Sequence, residues 1–506
     1  MRQLNREKII ALSLIPGLVF YFYYLYKIVF FPFEWEPTDG DHVNFANRIS
    51  EQLPIFFNLQ SGNILSVYNP LYHFLIAGAD FGINQFILAR SISALFWILC
   101  SILIYFYFKR RTTRINAFLA SITILFPIQS GLLVDMVQVT PVALMVFLFL
   151  ATILLADSIQ TSKHPTLLMF ALGILSCFTF LAKQQGIIAF FVLLGYFLIA
   201  RLPLKRVFIF IFASLFTYYL IAELISLVEG NFLIAATLTE VPSIVKTYWK
   251  LSIIRLFSFS LFNALLILLS VYVLVRNCVL KRISIWEVSL FMHIPFLLFI
   301  LKNGAGGSNY FTTFWISVVV VSCNLIFSTD SNCKDIPYIA KLGSLNFYLN
   351  SKKKTKGLLY ILLSLSILLG QLMFVKDVVK MNLPNKELKE TMLNASERVD
   401  LLTKQGKRIE MLTNRNIGVF LDQRTDIENE GCSLFGAWVH LENFKKSILL
   451  EKIRGQKYDY ISTGFQPYPK DVQSAIDKYY KVIDSYPTNY YFGQIGIQFI
   501  YGPRTD

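Results

Sequence analysis

EWEPTDGDHVNFANRISEQLPIFFNLQSGNILSVYNPLY, Glu34 to Tyr72, is a polar stretch between two strongly apolar ones, Ile9–Phe30 and Phe86–Phe108. Each flank has the roughly 20 mainly apolar residues that a membrane-crossing helix needs. The stretch carries Glu34, Glu36, Asp39, Asp41 and Glu51 in a half of the chain where acids are otherwise sparse. Carboxylates beside a bilayer are costly and tend to mark function. Val43, Phe45, Ala46, Ile49, Leu53, Ile55 and Phe56 recur among its polar residues at roughly helical spacing. That pattern predicts an amphipathic helix lying at the membrane surface.

Composition agrees with a bilayer environment. The 506 residues are 55% hydrophobic and only 16% charged, with 46 Phe and 26 Tyr, and mean hydropathy is +0.54. A soluble domain carries roughly a quarter charged residues. The net charge of +15 does not indicate nucleic acid, because many of the basic residues occupy short loops beside apolar spans. In a membrane protein that placement sets orientation. Cys100, Cys177, Cys278, Cys323, Cys333 and Cys432 are dispersed without a CxxC pair, so neither a zinc site nor a disulfide framework is indicated. The first apolar run follows the basic segment Met1–Lys8 and has no small-residue cleavage pattern, which reads as an uncleaved helix.

Arg2, Arg6 and Lys8 keep the N-terminus cytoplasmic and put the acidic loop outside. The second span returns to Lys109, Arg110, Arg111 and Arg114. Further spans are read at Ile115–Ile128, Val139–Ala156, Leu167–Ala182, Ile187–Ala200, Val207–Val228, Leu256–Val275, Val288–Leu301, Tyr310–Phe327 and Leu358–Val375. Basic loops alternate with them in one phase. The expected architecture is mainly α, a polytopic bundle of about 11 spans over residues 1–375 with its first outside loop at 31–85. Residues 376–506 turn polar. NIGVFLD, KYDYISTG and GQIGIQFIYG read as strands, and Leu441–Ile453 and Asp471–Ile483 as helices. This alternation predicts a small extracytoplasmic α/β or α+β domain.

The orientation gathers unusual polar groups on the outer face: Glu36, Asp39 and Asp41, then Asp135, then Lys183, Gln184 and Gln185, then Lys302, Asn303, Ser308 and Asn309. A partly desolvated carboxylate can accept a proton from a hydroxyl, while lysine and amide groups can bind a phosphate and stabilise it as it leaves. The Gly304–Gly307 turn either lets backbone N–H groups approach that phosphate or is a plain tight turn. Lysines at helix ends also snorkel without further role. Tyr68 and Tyr72 of YNPLY either join the interfacial aromatic belt or stack on sugar. His42 and His73 are candidate polar contacts without metal-ligand spacing.

In their order, the acidic motif, Y-x-P-L-Y, Asp135, the Lys183-Gln184 pair and the turn from Lys302 to Asn309-Tyr310 resemble the bacterial GT-C glycosyltransferases. These are polytopic enzymes using polyprenyl-phosphate sugars, related to protein O-mannosyltransferases and lipid A aminoarabinose transferases. The resemblance covers most of the chain. It implies an inverting transfer on the outer face of the plasma (inner) membrane, from a polyprenyl-phosphate-linked donor to a lipid, glycan or protein hydroxyl. The family pattern D-x-x-E-G falls on Glu36-Pro37-Thr38-Asp39-Gly40, with the acids exchanged and Asp41 added. The base is then Asp39, Asp41 or Glu36, in that order of preference. Lys183, Gln184, Lys302, Asn309, Tyr310, Tyr68, Tyr72, Asp135 and His42 are the expected substrate contacts. A divalent metal takes part in some relatives; no metal ligand is read here. The rival reading is a transporter or flippase of a lipid-linked sugar, which should carry ionisable groups at the bilayer midplane. The expected spans read as nearly free of them. A membrane scaffold, a third reading, would not require the acidic loop.

Overall fold

A computed structural model describes residues 12, 14–33, 35, 39–52, 55, 69–79, 82–125, 137–229, 261–279, 283–302, 311–327, 368, 371–372, 374–376, 378–379, 383–403, 409–412, 450–463, 470–491 and 494–504. They are mostly helical. In chain order the helices are α1 (Ile15–Val29), α2 (Asp39–Ser50), α3 (Leu71–Gly78), α4 (Gln85–Lys109), α5 (Arg114–Leu125), α6 (Val142–Asp157) and α7 (Pro165–Ala182). They continue with α8 (Ile187–Ile199), α9 (Leu204–Glu229), α10 (Leu261–Val279), α11 (Ile285–Lys302), α12 (Thr312–Phe327) and α13 (Lys386–Thr403). Ten of them fall on the first ten spans expected from sequence. By length and composition three can cross a membrane unaided: Gln85–Lys109, Pro165–Ala182 and Leu204–Ser226. At 1.5 Å per residue, the 25 residues of α4 reach about 37 Å, against a hydrocarbon thickness of about 30 Å.

Burial sorts the helices by position. Ten of the sixteen residues of α6 are buried, on all sides of the helix. α9 instead turns Phe208, Phe212, Leu215, Phe216 and Tyr219 outward, each about half exposed or more. A row of that size suits lipid, since a water-facing monomer rarely shows one. α4 packs on α1, α5 and α6; α7 packs on α6, α8 and α9; α11 packs on α8 and α12. α7 and α9 approach closely at Gly173, where a Cβ would come within 2.6 Å of the Phe210 carbonyl oxygen. The helical residues around Gln371 lie against α1. Gln371 Nε2 donates to the Leu14 carbonyl at 3.3 Å, and Phe374 meets Tyr24 edge to face at 5.4 Å.

Among the described residues, the polar C-terminal part holds a four-stranded sheet, built from β1 (Ile409–Leu412), β2 (Tyr460–Thr463), β3 (Tyr480–Tyr491) and β4 (Gln494–Pro503) in the order β1-β2-β4-β3. β1 and β2 are parallel and the other pairs antiparallel. α14 (Lys470–Tyr479) covers the sheet with Val472, Ala475 and Ile476, against Ile453, Tyr458, Ile461 and Tyr480. The helix expected over Asp471–Ile483 therefore stops at Tyr479, and Tyr480 begins a strand. The run YKVIDSY favours β structure through its aromatic and β-branched residues, and Tyr480 Oη donates to the Tyr458 carbonyl at 3.1 Å. Residues 450–454 are the described part of the helix expected at Leu441–Ile453. NIGVFLD lies outside the described residues. β2 and β4 fall where KYDYISTG and GQIGIQFIYG predict strands.

Candidate active site

The acidic motif enters α2 at Asp39, whose side chain is fully buried. Its Oδ1 accepts from the Val139 N–H at 2.8 Å, and its Oδ2 accepts from the Trp35 N–H at 3.3 Å and from Arg90 Nη2. Arg90 stands on α4 and is also fully buried. Its Nη1 donates to the Phe31 carbonyl at 2.7 Å and the Ile28 carbonyl at 3.4 Å, and its Nη2 donates to Phe33 at 2.8 Å. The guanidinium also lies 5.3 Å from the Phe86 ring centroid. The local physics explains the arrangement. Carbonyls at the end of α1 carry the negative pole of its dipole, and a carboxylate suits the start of α2. A guanidinium fork serves both at once, because its donors diverge in a fixed plane. Asn84 adds a second tie: its side chain caps α4 at Phe86 and Ile87 and donates to the Pro32 carbonyl at 3.1 Å.

α2 is not spread on a surface. Val43, Phe45 and Ala46 are buried, as is Ile55 beyond its end, and the helix packs on α3 and α4. This seats His42 against α3, where His42 Nδ1 and His73 Nε2 share a hydrogen bond of 2.8 Å. The two rings stack with centroids 5.1 Å apart, and Phe45 and Tyr72 meet His73 edge-on. Tyr72 Oη lies 3.1 Å from the Ala89 carbonyl and 2.8 Å from Ser93 Oγ. That buried hydroxyl is spent on anchoring α3 to α4. Asn69 Nδ2 donates to the Phe180 carbonyl at 2.5 Å, tying the YNPLY segment to the end of α7.

At that end Lys183 leaves the helix in extended conformation, and its carbonyl accepts from the Gly186 N–H at 2.7 Å to close the turn Gln184–Gly186. A Cβ at position 186 would lie 1.9 Å from the Thr179 carbonyl oxygen, so the turn requires glycine. Lys183 is buried and close enough to act on His42. Burial first, then His73 and then Lys183 hold the His42 imidazole well below its ordinary pKa. Burial takes His73 down to about 3 and lifts the Tyr72 phenol above its usual range. The histidine pair is therefore neutral near pH 7.

Two of the four clusters read from sequence come together here, the acidic motif through Asp39 with the neighbouring His42 and the turn after α7 through Lys183; Val139, which bonds Asp39, belongs to the start of the fourth expected span. Gln184 lies in the same turn as Lys183, half-buried. Asp41 lies in the first turn of α2, and Lys302 ends α11; their side chains are outside the described set. Glu36, Tyr68, Asp135, Asn309 and Tyr310 lie outside the described residues. Sequence reasoning missed Arg90 and His293. The signal for Arg90 was a basic residue inside the apolar run QFILARSIS, near the start of α4, at the end that meets Asp39 and the segment after α1. His293 of α11 is buried and satisfied, with Nε2 2.9 Å from Thr313 Oγ1 and Nδ1 2.7 Å from the Ser289 carbonyl.

The divalent metal of some relatives finds no cage among the described residues. No group of three or more His, Cys, Asp or Glu side chains comes together there, and His42 and His73 spend a ring nitrogen each on one another.

No protein-family model matches the chain, and no curated protein matches its sequence. Solved structures do match its fold. ArnT from Cupriavidus metallidurans in the apo state superposes with a TM-score of 0.57 at 12% identity, covering 96% of this chain and 97% of that one. The same protein bound to undecaprenyl phosphate gives 0.56 at 12%, over 97% and 98%. The archaeal oligosaccharyltransferase AglB from Archaeoglobus fulgidus, in complex with an inhibitory peptide and a dolichol-phosphate, gives 0.53 at 12%, over 97% of this chain and 74% of that one. At such identity the likeness is one of fold. Over nearly its whole length the chain has the fold of these two proteins.

Proposed function

We propose that this protein is an integral-membrane glycosyltransferase. It transfers a sugar from a polyprenyl-phosphate donor to an acceptor hydroxyl on the extracytoplasmic face, with inversion. The observation that carries the reading is the meeting of the acidic motif with the Lys183 turn in a chain whose whole length follows the GT-C fold. Relatives in that fold bound to undecaprenyl phosphate and dolichol-phosphate support a lipid-phosphate donor.

The roles follow from charge. Lys183, with Gln184 and with Lys302, Asn309 and Tyr310 of the later turn, holds the donor phosphate and stabilises the charge that grows on it as the C1–O bond breaks. The proton of the attacking hydroxyl goes to a carboxylate of the motif. Both Asp39 oxygens are engaged and the side chain is buried, so Asp39 serves as the anchor that orients α2. Asp41, two residues on in the same turn, takes the proton, with Glu36 as the alternative base.

The test is transfer from labelled polyprenyl-phosphate sugar in membranes holding wild type, Asp39→Asn, Asp41→Asn or Lys183→Met. Asp41→Asn should reduce the rate by about 10²-fold or more, and Lys183→Met should weaken donor use. Full activity in both the Asp39 and Asp41 variants would remove the acidic motif from the chemistry. Movement of labelled lipid across vesicles without a glycosidic product would establish a flippase instead.

A further inference from the structure

The sugar-transfer reading gives partners to the donor phosphate and to the hydroxyl proton, but none to the sugar ring. Two glutamines stand where one is needed. Gln138 immediately precedes Val139, whose N–H bonds Asp39. It is only 3% exposed, yet its amide Nε2 is buried with no hydrogen-bond partner among the described residues. The local backbone does not need that amide, since the Gln138 carbonyl itself accepts from the Thr140 N–H at 2.8 Å. Gln185 stands in the Gln184–Gly186 turn, and its Oε1 is likewise buried without a partner. That turn is also closed by backbone, between the Lys183 carbonyl and the Gly186 N–H. α6 begins at Val142, one helical turn beyond Gln138, and packs on the Gln184–Gly186 turn. Both segments therefore border the place where Asp39, His42 and Lys183 gather.

A buried amide atom left without a hydrogen bond is costly, and native structures keep few of them. Functional sites are where such violations are tolerated, because a ligand completes the missing bonds. We propose that Gln138 and Gln185 read the hydroxyls of the transferred sugar, Gln138 donating through its amide N–H and Gln185 accepting at its amide oxygen. The proposal rests on the glycosyltransferase reading and gives its donor a class, a sugar ring with free hydroxyls beside the reacting carbon. A hydroxyl both donates and accepts, so one polyol satisfies an unpaired donor on one segment and an unpaired acceptor on another. An alkyl chain satisfies neither, and a carboxylate satisfies only the donor. Asp39 is not available for this reading, being committed to Arg90 and the Val139 N–H.

The test uses the full-length protein in liposomes with undecaprenyl-phosphate-linked glucose, galactose, mannose or arabinose, followed by monodeoxy analogues of each donor that is used. Methionine matches glutamine in length but carries no amide. Replacing an unpaired buried amide by an apolar chain removes a desolvation cost. Gln138→Met should therefore melt at or above the wild-type temperature, while its kcat/KM for transfer falls about tenfold or more. Gln185→Met should show the same split. A packing role would move stability and transfer down together. The monodeoxy donor that lacks the hydroxyl read by Gln138 should be poor with wild type and lose nothing further with Gln138→Met, because the partner is already gone. A Gln138→Met protein that melts below wild type, fails to fold or transfers sugar at the wild-type rate overturns the proposal. So does an equal loss with every monodeoxy donor. Wild type that forms no glycosidic product from any of the four donors overturns the glycosyltransferase reading itself, whereas product from wild type with an unaffected Gln138→Met overturns this proposal alone.

Discussion

Replacing Arg90 with Met leaves the Asp39 carboxylate fully buried without its counter-charge. It also strips the Phe31 and Phe33 carbonyls of their side-chain donor. Removing one partner of a buried pair costs about 3–5 kcal/mol, and most of that comes from the charge left behind. The charge can be removed too. In Asp39→Asn/Arg90→Met the amide still accepts from Val139 and no net charge is buried, so the double variant should recover about 2 kcal/mol or more relative to Arg90→Met alone. Arg90→Lys keeps the charge but not the planar fork, and should fall between wild type and Arg90→Met. The assay is the temperature at which half the detergent-solubilised protein is lost from the monodisperse peak in size-exclusion chromatography. The expected order is wild type, then the double variant, then Arg90→Met. The reasoning fails if Arg90→Met matches wild type, or if removing the Asp39 charge gives nothing back.

Two glycines make a matched comparison. Gly186→Ala drives a Cβ into the Thr179 carbonyl at 1.9 Å, whereas nothing lies within 4 Å of a Cβ at Gly78; the first should lower both stability and transfer, while the second should stay within about 0.5 kcal/mol of wild type. Acid should destabilise the protein through His73, which titrates near 6.5 when unfolded and near 3 when folded. The unfolded chain binds the extra proton below pH 6.5, so stability is intact above that and declines as pH falls toward 3, by about 2 kcal/mol at pH 5 from this residue; His73→Gln should flatten that slope in thermal scans from pH 7 to pH 5. Reporter fusions after Phe108 and Val375 should report cytoplasmic and extracytoplasmic locations respectively, and the opposite result would sink the proposed orientation.

The ten helices on expected spans were legible because each is an apolar run bounded by charge or a polar turn, a local pattern, whereas α3 and the polar α13 lack it and were not anticipated. The meeting of the acidic motif with the Lys183 turn was legible for a similar reason, since alternation of basic loops sorts the polar turns into two sets without knowledge of packing. What escaped is what depends on distant partners. Arg90 meets Asp39 across 51 residues and His73 meets His42 across 31, and neither spacing has a periodic signature. Asp39 was the favoured base on sequence because an acid in a polar loop looks available. Its burial against Val139, 100 residues away, is a tertiary fact. The strand at Tyr480 was lost to the strong amphipathic pattern of Lys470–Tyr479, which continues by eye through Val482 and Ile483.

The grip of Arg90 on the end of α1 also bears on how the chain enters a bilayer. An arginine in a nascent helix costs about 2.5–3.5 kcal/mol at the membrane centre on insertion scales, and less toward the interface. α1 leaves the ribosome before α4, so the carbonyls of Ile28, Phe31 and Phe33 are already present when Arg90 arrives. Insertion of the two helices as a pair is the expected outcome, since the contacts that satisfy Arg90 come from the end of α1. Replacing Ile15–Val29 with a neutral leucine helix that ends without the Phe31–Phe33 segment should lower the inserted fraction of α4 in a glycosylation-mapping assay. Unchanged insertion would show that α4 crosses without that help.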